Sequence, residues 1–405
     1  MRHVSSAFLV ASLAAIATAS TTCSVDNKCP ESAPCCYNGV CGVGSSCLGS
    51  CDPLMSYSLD SCTPEPICKN QTYSFSNLDD SILWDQYLGN SSQYEWTTSG
   101  FPKVENGSLM LTMPNQTTGS LVTLNNYIWY GKVSAKIKSS RGGGVVTGFI
   151  LMSDVKDEID FEFVGYNLSS VQTDFYFQGV ENWTNEVNAA VSPGDTFSEW
   201  HTYTIDWTPE KLEWLVDGVV MRTLTKNSTL NATSGVYMYP QTPSRLQMSL
   251  WPSGLTTAGQ GTIEWGGGLV DWNSEDIVKY GYYYALYKEI TVECYNPPEG
   301  TTVKGDKSYI YTSDTGLSDQ ILVSGNSTVL YNLKDTGLNM TAGKQTTASS
   351  SSGTSNYESS SGADATSTGF SAGSTSKNAA SSSFSDRVTQ GSFLAALTAV
   401  IFSLL

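Results

Sequence analysis

Three acidic residues alternate with apolar residues in the segment Asp157-Glu158-Ile159-Asp160-Phe161-Glu162-Phe163. Successive side chains of a β-strand point to opposite faces, so Glu158, Asp160 and Glu162 would share one face of a strand. The apolar residues between them would then point the other way, into a core. The pattern therefore predicts a strand that gathers three carboxyl groups on one side.

The spacing of Glu158 and Glu162 suits the cleavage of a glycosidic bond. Residues four apart on a strand are about 13 Å apart at their Cα atoms. Two glutamate side chains that each reach roughly 4 Å leave about 5 Å between their carboxyl groups, the separation found in retaining glycosidases. One carboxylate then attacks the anomeric carbon, and the other carboxyl group protonates the leaving oxygen.

Asp160, between the two glutamates, can hydrogen-bond either of them and hold their pKa values apart. The alternative is an ordinary amphipathic strand with a solvated acidic face. Acidic residues are poor strand formers and carboxylates on one face repel one another, so three in register are costly without a purpose. The segment therefore favours catalysis over a purely structural role.

The elements that position this strand are predicted to be β-strands as well. Short alternating runs and turn signals fill the region from Tyr73 to Glu293, and all ten Trp of the 405-residue chain lie between Trp84 and Trp272. The pattern predicts an all-β jelly-roll sandwich over residues 63–300. Residues 301–378 are predicted as an extension and a disordered Ser/Thr-rich stalk, since Ser, Thr, Gly and Ala dominate from Thr341 to Gln390.

Residues 1–19 are predicted to be a secretory signal peptide, with a basic start, an apolar run and the small-residue site Ala17-Thr18-Ala19. The mature chain would then begin near Ser20. Ten Asn-x-Ser/Thr sequons fit a secreted glycoprotein. They are Asn70, Asn90, Asn106, Asn115, Asn167, Asn182, Asn227, Asn231, Asn326 and Asn339.

Ten cysteines, an even number, indicate a disulfide framework in an oxidising compartment. Eight of them lie between Cys23 and Cys62, so residues 20–62 are predicted to be a small module in which cross-links replace a core. The remaining two, Cys68 and Cys294, bracket the Trp-rich region. We expect them to clamp the start of the large domain to its end.

The C-terminal residues match a GPI-attachment signal. The small triplet Asn378-Ala379-Ala380 precedes a polar spacer, and the last fifteen residues are apolar with no basic residue after them. Attachment is predicted at Asn378, with Gly373 and Ser374 as alternatives, and residues 379–405 as the propeptide. A tail-anchoring helix is the competing interpretation, but fifteen residues are short for a bilayer span. The protein is therefore expected in the cell wall and on the outer plasma-membrane surface.

Charge and histidine content exclude several classes of function. The formal net charge of −17 argues against a nucleic-acid partner, whereas an uncharged polysaccharide is indifferent to it. The mature chain has one histidine, His201, so His-based triads and multi-His metal sites are excluded. Gly142-Gly143-Gly144 lies between two predicted strands and is interpreted as a turn, not a phosphate loop. We expect no metal, no cofactor and a monomer.

The acidic strand resembles the catalytic strand of glycoside hydrolase family 16. The surrounding sequence is similar too, in Trp129-Tyr130-Gly131, in residues 144–149 and in Val171-Gln172-Thr173. With its order of modules, the chain most resembles the fungal Crh transglycosylases, which join chitin to β-glucan. The resemblance implies a jelly roll with an open cleft, Glu158 as nucleophile, Glu162 as general acid/base and Asp160 as helper. Asp174 departs from the family's more usual Asn.

The Cys-rich module resembles the hevein-like chitin-binding domain, carbohydrate-binding module family 18, in Cys35-Cys36-Tyr37-Asn38-Gly39-Val40-Cys41-Gly42 and the cysteines around it. Tyr37 replaces the family's Ser and is the one aromatic candidate for stacking on a sugar. The module therefore either binds chitin through Tyr37 or is a folded module with weak binding. The pairing that the resemblance implies is Cys23–Cys36, Cys29–Cys41, Cys35–Cys47 and Cys51–Cys62.

Aromatic rings that stack on sugar faces are expected beside the carboxyl groups. Trp129, Trp251 and Trp265 are the candidates, with packing in the core as the alternative for each. Trp207 and Trp214 alternate with hydrophobic residues and are predicted to be core.

Three functions compete at this stage. The first is a wall-remodelling transglycosylase that moves a β-1,4-linked chitin donor onto β-glucan. The second is a plain β-glucanase or chitinase that uses the same carboxyl groups. The third is a non-catalytic, GPI-anchored wall mannoprotein or lectin with a vestigial site. The expected partners are chitin, β-glucan and the GPI lipid.

Overall fold

The computed structural model describes residues 21–344. Strands dominate this part of the chain, with two short helices, α1 (Gln260–Trp265) and α2 (Glu275–Tyr280). The strands, in chain order, are β1 (Cys35–Tyr37), β2 (Val40–Gly42), β3 (Glu65–Pro66), β4 (Gln71–Tyr73), β5 (Ser81–Leu83), β6 (Trp96–Ser99), β7 (Lys103–Glu105), β8 (Ser108–Pro114), β9 (Ser120–Leu124), β10 (Gly131–Lys138), β11 (Val145–Ser153), β12 (Glu158–Val164), β13 (Ser170–Tyr176), β14 (Val187–Ala190), β15 (His201–Trp207), β16 (Lys211–Val216), β17 (Val219–Thr225), β18 (Ser244–Pro252), β19 (Tyr282–Cys294), β20 (Thr302–Val303), β21 (Ser308–Tyr311) and β22 (Ile321–Ser324).

Two eight-stranded sheets form the sandwich. The outer sheet has the order β17-β16-β15-β10-β19-β8-β7, and β4 also pairs with β19. The inner sheet has the order β14-β13-β12-β11-β18-β9-β6-β5 and contains the acidic strand near its middle. Almost every pairing is antiparallel, and neighbours in space are often distant in sequence, as in a jelly roll. The all-β sandwich predicted from the sequence is confirmed.

The core lies between the facing sides of the two sheets. In β12, Ile159, Phe161 and Phe163 are at most 1% exposed, and the rings of both phenylalanines meet Tyr203 of the outer sheet edge-on. Burial of each such side chain contributes about 1.5–3 kcal/mol to folding. Because these residues are fixed in the core, the alternate residues of β12 are directed away from it.

The structure contains five disulfides, and their pairs are those expected. Cys68–Cys294 joins the segment before β4 to the end of β19 across a sequence separation of 226. The other four lie inside the small N-terminal module, where they stand in for an apolar core. Those pairs are Cys23–Cys36, Cys29–Cys41, Cys35–Cys47 and Cys51–Cys62.

The module and residues 301–344 pack against the sandwich, so the predicted extension is folded in this part. β3 pairs with β21 in a four-stranded sheet of order β20-β22-β21-β3. The backbone of Gly44 in the module donates to the carbonyl of Asp335, and Gly337 donates to Ser61, each at 2.9 Å. The sequence predicts a domain boundary at residue 300. The structure does not separate the two sides of that boundary, because β3 from before residue 300 and β21 from after it pair in one sheet.

Several predictions fall outside the described residues. These are the signal peptide, the stalk from residue 345 onward and the GPI signal with Asn378. Among residues 21–344, neither helix is long and apolar enough to cross a bilayer. All ten sequon asparagines lie in the described part, and none of them is buried.

Candidate active site

The register of the inner sheet places the acidic residues on one face. Glu158 lies opposite Met152 of β11 and Tyr176 of β13. Asp160 and Glu162 follow two and four residues further along β12, and their β13 partners are Asp174 and Gln172. Because directly opposed residues project to the same face, these polar side chains form a group on the side of the sheet away from the core.

The backbone of β12 is also fixed from the outer sheet. Trp214 is fully buried, and its Nε1 donates to the carbonyl oxygen of Asp160 at 2.9 Å. Opposite Glu162, β11 has Gly148, where an added Cβ would press against the hydroxyl of Ser249. The glycine therefore accommodates the close approach of Ser249 from β18.

Burial and mutual repulsion give the carboxyl groups of Glu158, Asp160 and Glu162 different pKa values. Burial raises the pKa of Glu158 to about 7, while the adjacent Asp160 carboxyl group and the charge of Lys156 act to lower it. Burial, and then the neighbouring carboxylates, raise the pKa of Asp160 and of Glu162 well above the usual range. Asp160 therefore keeps a proton beside Glu158, and neither of its buried carboxyl oxygens has a hydrogen-bond partner in the structure. Glu158 is the group that ionises first, and Glu162 keeps its proton.

Asp174 is held beside this group by two hydrogen bonds. Its carboxylate accepts from the backbone N–H of Phe175 at 2.7 Å and from the hydroxyl of Tyr176 at 3.0 Å. Burial raises its pKa to about 6. Asp174 thus adds a further acid to the face on which Asp160 and Glu162 lie.

An apolar pocket of about 420 Å³ opens directly beside Glu162. Trp251 and Trp265 stack there, with ring centroids 6.0 Å apart, and Trp265 Nε1 donates to Gln172 Oε1 at 2.8 Å. The volume is within the range of small-ligand sites. The pocket brings together the predicted Glu162, Trp251 and Trp265.

Two of the pocket residues were missed by the sequence reasoning. Trp183, which is 59% exposed, and Tyr176 both line it. A tryptophan in the polar segment Glu181-Asn182-Trp183 has no apolar neighbours to pack with, and this could have marked it as a surface aromatic. Tyr176 could have been found from the alternation of β13, in which it shares a face with Asp174.

Trp129 was wrongly predicted to contact sugar directly. It is 1% exposed, its Nε1 donates to the carbonyl of Gln241 at 2.9 Å, and its ring packs on Tyr130 and Tyr309. Its place in the tertiary core leaves no ring face free. The bulk of Trp207 and Trp214 is buried in the core, as expected.

Tyr37 is also not on the outer surface of the module. Its ring stacks on Trp84 of the large domain, with centroids 5.0 Å apart and an interplanar angle of 1°. The aromatic face expected to meet chitin from a free-standing module is therefore turned towards the sandwich. Tyr37 lies at the junction between the Cys-rich module and the β-sandwich.

Neither the histidine nor the cysteines form a second chemical site. His201 Nδ1 is 2.7 Å from Asp217 Oδ2, on the outer sheet. In the described part of the chain, the metal-type cluster found is Cys23, Cys29 and Cys41, and all three are in disulfides.

A β-sandwich with buried carboxyl groups beside stacked tryptophans has the fold and site of a glycosidase-class enzyme. Residues 90–267 match the family described as Glycosyl hydrolases family 16. The chain is 56% identical to Crh-like protein 2 of Aspergillus fumigatus over 357 residues, 87% of this chain and 81% of that protein. It is 42% identical to Congo red hypersensitive protein 2 of Saccharomyces cerevisiae over 335 residues, 82% of this chain and 71% of that protein.

A solved structure, that of Crh5 transglycosylase in complex with NAG, is similar with a TM-score of 0.54 and 29% identity. The match covers 68% of this chain and 100% of that one. The chain therefore belongs to the Crh-like proteins of glycosyl hydrolase family 16. It is an enzyme of the glycosidase and transglycosylase class.

Proposed function

We propose that the protein cleaves a β-1,4-linked chitin donor with retention and transfers it to β-glucan in the fungal cell wall. The observation that carries this proposal is the pairing of Glu158 and Glu162 on one face with separated protonation states. A similar protein of known structure is a transglycosylase seen with NAG, which supports a donor built from N-acetylglucosamine.

In the first half-reaction the Glu158 carboxylate attacks the anomeric carbon of the donor. The bond from that carbon to the glycosidic oxygen breaks, and Glu162 gives its proton to the leaving oxygen. The product is a covalent glycosyl ester on Glu158. Asp160, protonated and adjacent to Glu158, lowers the pKa of the nucleophile and so favours its ionised form.

In the second half-reaction a hydroxyl of the acceptor glucan attacks the same anomeric carbon. Its proton passes to Glu162, now a carboxylate, and the ester bond to Glu158 breaks. Two inversions give net retention. The new glycosidic bond joins donor to acceptor.

Transfer rather than hydrolysis depends on an acceptor that is held while water is kept away. The pocket beside Glu162 offers the rings of Trp265 and Trp183, on which the apolar face of a pyranose can pack, while the buried Trp251 stacks behind Trp265. We assign this pocket to a sugar residue next to the broken linkage.

Location at the cell surface is part of the proposal. The predicted signal peptide, the GPI signal and the unburied sequons support a secreted glycoprotein anchored to the outer plasma membrane and wall. Phospholipase C treatment of membranes is expected to release it. Retention in the membrane after treatment, with no wall-linked form, would contradict the anchor.

The central experiment incubates the purified protein with chitin oligosaccharides and a fluorescent β-glucan oligosaccharide. The expected result is a chimeric product, identified by mass spectrometry, that carries both sugars. New reducing ends without a chimera would refute transfer and indicate a hydrolase.

The roles of the two glutamates are tested in the same assay. Glu158→Gln is expected to lower the rate at least about 1,000-fold, because no nucleophile remains. Glu162→Gln is expected to retain ester formation from a donor with an acidic aryl leaving group, which needs no proton. Glu181→Gln, an exposed acid outside the pocket, is the matched control and should keep full activity.

A further inference from the structure

A second crevice lies on the same face of the inner sheet as the carboxyl groups. The register continues from Asp160 through Ile150 and Gln247 to Thr123 and Thr97. Gln247, Thr123 and Thr97 line the floor of this crevice. Their strands lie two to four positions from β12, so the crevice is about 10–19 Å from the acidic strand.

The Cys-rich module forms the opposite wall. Tyr37, Asn38 and Leu48 line the crevice from the module side, and Trp84 lines it from the large domain. A hydrogen bond of 3.2 Å from Lys156 Nζ to Asn38 Oδ1 crosses the junction. The crevice therefore does not exist in either body alone.

Polar contacts hold the module at this position. The backbone N–H of Ser50 donates to Asp154 Oδ1 at 2.7 Å, and Arg245 Nη2 donates to Ser50 Oγ at 2.9 Å. Gly49 lies directly on the Arg245 guanidinium group, with no space for a side chain between them. The wall is thus built against β18 rather than loosely tethered to it.

Three residues of the lining each have a buried polar atom without a partner. The atoms are Nε of Arg245, Oε1 of Gln247 and the hydroxyl of Tyr87, in residues that are 8%, 4% and 5% exposed. Buried donors and acceptors are almost always satisfied, so an unpaired donor and an unpaired acceptor in one crevice indicate a bound group that supplies both. The crevice has a volume of about 50 Å³, enough for a substituent but not for a sugar ring.

We propose that this crevice takes the acetamido group of an N-acetylglucosamine residue distal to the cleaved linkage, and that the Cys-rich module thereby completes the donor cleft. The inference rests on the proposed function, since the sugar belongs to the chitin donor. The module acts as a wall of the catalytic cleft and not as a separate lectin.

The chemistry of the lining matches an acetamido group. Its N–H can donate to Gln247 Oε1, its carbonyl can accept from Arg245 Nε, and its methyl group can contact Leu48 and Met152. The ring that bears it lies across the mouth of the crevice, beside the stacked Tyr37 and Trp84. A hydroxymethyl group of a glucan would leave the apolar part of the lining without contact.

The test compares chitin donors of two lengths in the full-length protein, with a constant glucan acceptor. Chitohexaose reaches the crevice from the acidic strand, whereas chitobiose does not. Gln247→Ala and Trp84→Ala are each expected to lower kcat/KM for chitohexaose about tenfold more than for chitobiose. The first substitution removes one hydrogen bond to the sugar, and the second removes one ring contact. Trp84 is on the large domain, so its replacement leaves the disulfides of the module intact.

Tyr57→Ala is the matched control, because Tyr57 is an exposed aromatic of the same module outside the crevice. It should leave both donors unaffected. Equal losses of Gln247→Ala and Trp84→Ala on the two donors would overturn the proposal. So would an identical length effect with cello-oligosaccharides, which lack acetamido groups.

A binding measurement separates this inference from the proposed function. Isothermal titration calorimetry of the Glu158→Gln variant with chitohexaose measures binding without turnover. Adding Gln247→Ala to this variant is expected to weaken the binding of chitohexaose about tenfold. Unchanged affinity would refute the crevice site even if transfer occurs. Weakened binding in a protein that forms no chimeric product would support the crevice and refute the transferase.

Discussion

Trp214 of the outer sheet and Asp160 of the acidic strand are joined by a hydrogen bond of 2.9 Å from the indole Nε1 to the backbone carbonyl oxygen. The contact crosses the whole core of the sandwich. It ties the middle of β12, from which all three carboxyl groups are presented, to a buried ring that is 0% exposed. The position of the candidate active site therefore depends on packing between the two sheets.

Replacement of Trp214 by Phe is expected to lower stability and activity together. The variant keeps an aromatic ring in the core but loses the hydrogen bond to Asp160, at a cost of about 1 kcal/mol plus that of the smaller ring. Thermal unfolding should show a Tm lower by a few degrees. Trp200→Phe, at a half-buried ring with no such bond, is the comparison, and an equal effect there would contradict a specific role for the contact.

The pH dependence of kcat/KM is expected to be bell-shaped, with the acidic limb near pH 7. Activity needs Glu158 ionised, and burial raises its pKa to about 7, whereas Glu162 must stay protonated and has a pKa well above its usual range. Asp160→Ala removes the neighbouring carboxyl group that lowers the pKa of Glu158, so the acidic limb should move to higher pH. Asp160→Asn keeps a donor and should move it less. An acidic limb that stays in place in both variants would show that Asp160 does not act on Glu158.

Stability is expected to be higher at pH 5 than at pH 8. The carboxyl groups of Glu158, Asp174 and Asp52 have pKa values of about 7, 6 and 6 in the folded chain, above the value of about 4 in an unfolded chain. Such groups stabilise the fold fully below the unfolded pKa, and the contribution is lost as the pH rises through the folded pKa. For these three groups the fall in Tm should lie mainly between pH 4 and 7, from the unfolded value up to the folded values, and should level off above pH 7. The Tm of Glu158→Gln should fall less with rising pH than the Tm of the native protein. A steeper fall in the variant would contradict a raised pKa for Glu158 in the folded chain.

Trp265→Ala is expected to raise the KM for sugar about tenfold while leaving kcat closer to normal. The substitution removes the ring stacked on Trp251 and the hydrogen bond to Gln172, both in the pocket beside Glu162. Trp265→Phe, which keeps a ring face, should recover part of the affinity. Initial rates against donor and acceptor concentration would show which sugar the pocket holds, and an unchanged KM for both would remove the pocket from the binding site.

Loss of Cys68–Cys294 is expected to destabilise the large domain. The bond closes a loop with a sequence separation of 226, and removing a constraint on so long a loop costs about 5 kcal/mol in the chain-entropy estimate. The double variant Cys68→Ser/Cys294→Ser should unfold at clearly lower denaturant concentration than the native protein. A matched removal of Cys51–Cys62, which spans 11 residues, should cost the large domain less. Equal midpoints for the native and Cys68→Ser/Cys294→Ser proteins would contradict the clamp.

Much of the local arrangement could be predicted because it depends on alternation alone. The period of two in β12 determines that Glu158, Asp160 and Glu162 share a face once a core lies on the other side. The four disulfide pairs of the Cys-rich module followed from a resemblance, whereas Cys68–Cys294 was expected from the position of these two cysteines on either side of the Trp-rich region. The exposed Trp183 was within reach of the sequence, since its neighbours are polar.

The sequence could not predict in the same way which tryptophans pack in the core and which line the pocket. Trp129 and Trp251 have similar burial, at 1% exposed each, yet one is enclosed by Tyr130 and Tyr309 while the other lines the pocket with Trp265. Which rings meet depends on strands that are distant in sequence. The same holds for Tyr37, whose partner Trp84 belongs to another body of the protein.

The amino-acid sequence by itself determined the fold class and the shared face of the acidic residues, because both follow from side-chain alternation along single strands. Only the tertiary structure decided the order in which Glu158, Asp160 and Glu162 ionise. That order depends on burial and on charges such as Lys156 that the fold brings near. The crevice between Tyr37 and Gln247 was likewise decided by docking of two bodies, since its walls come from residues about 200 positions apart.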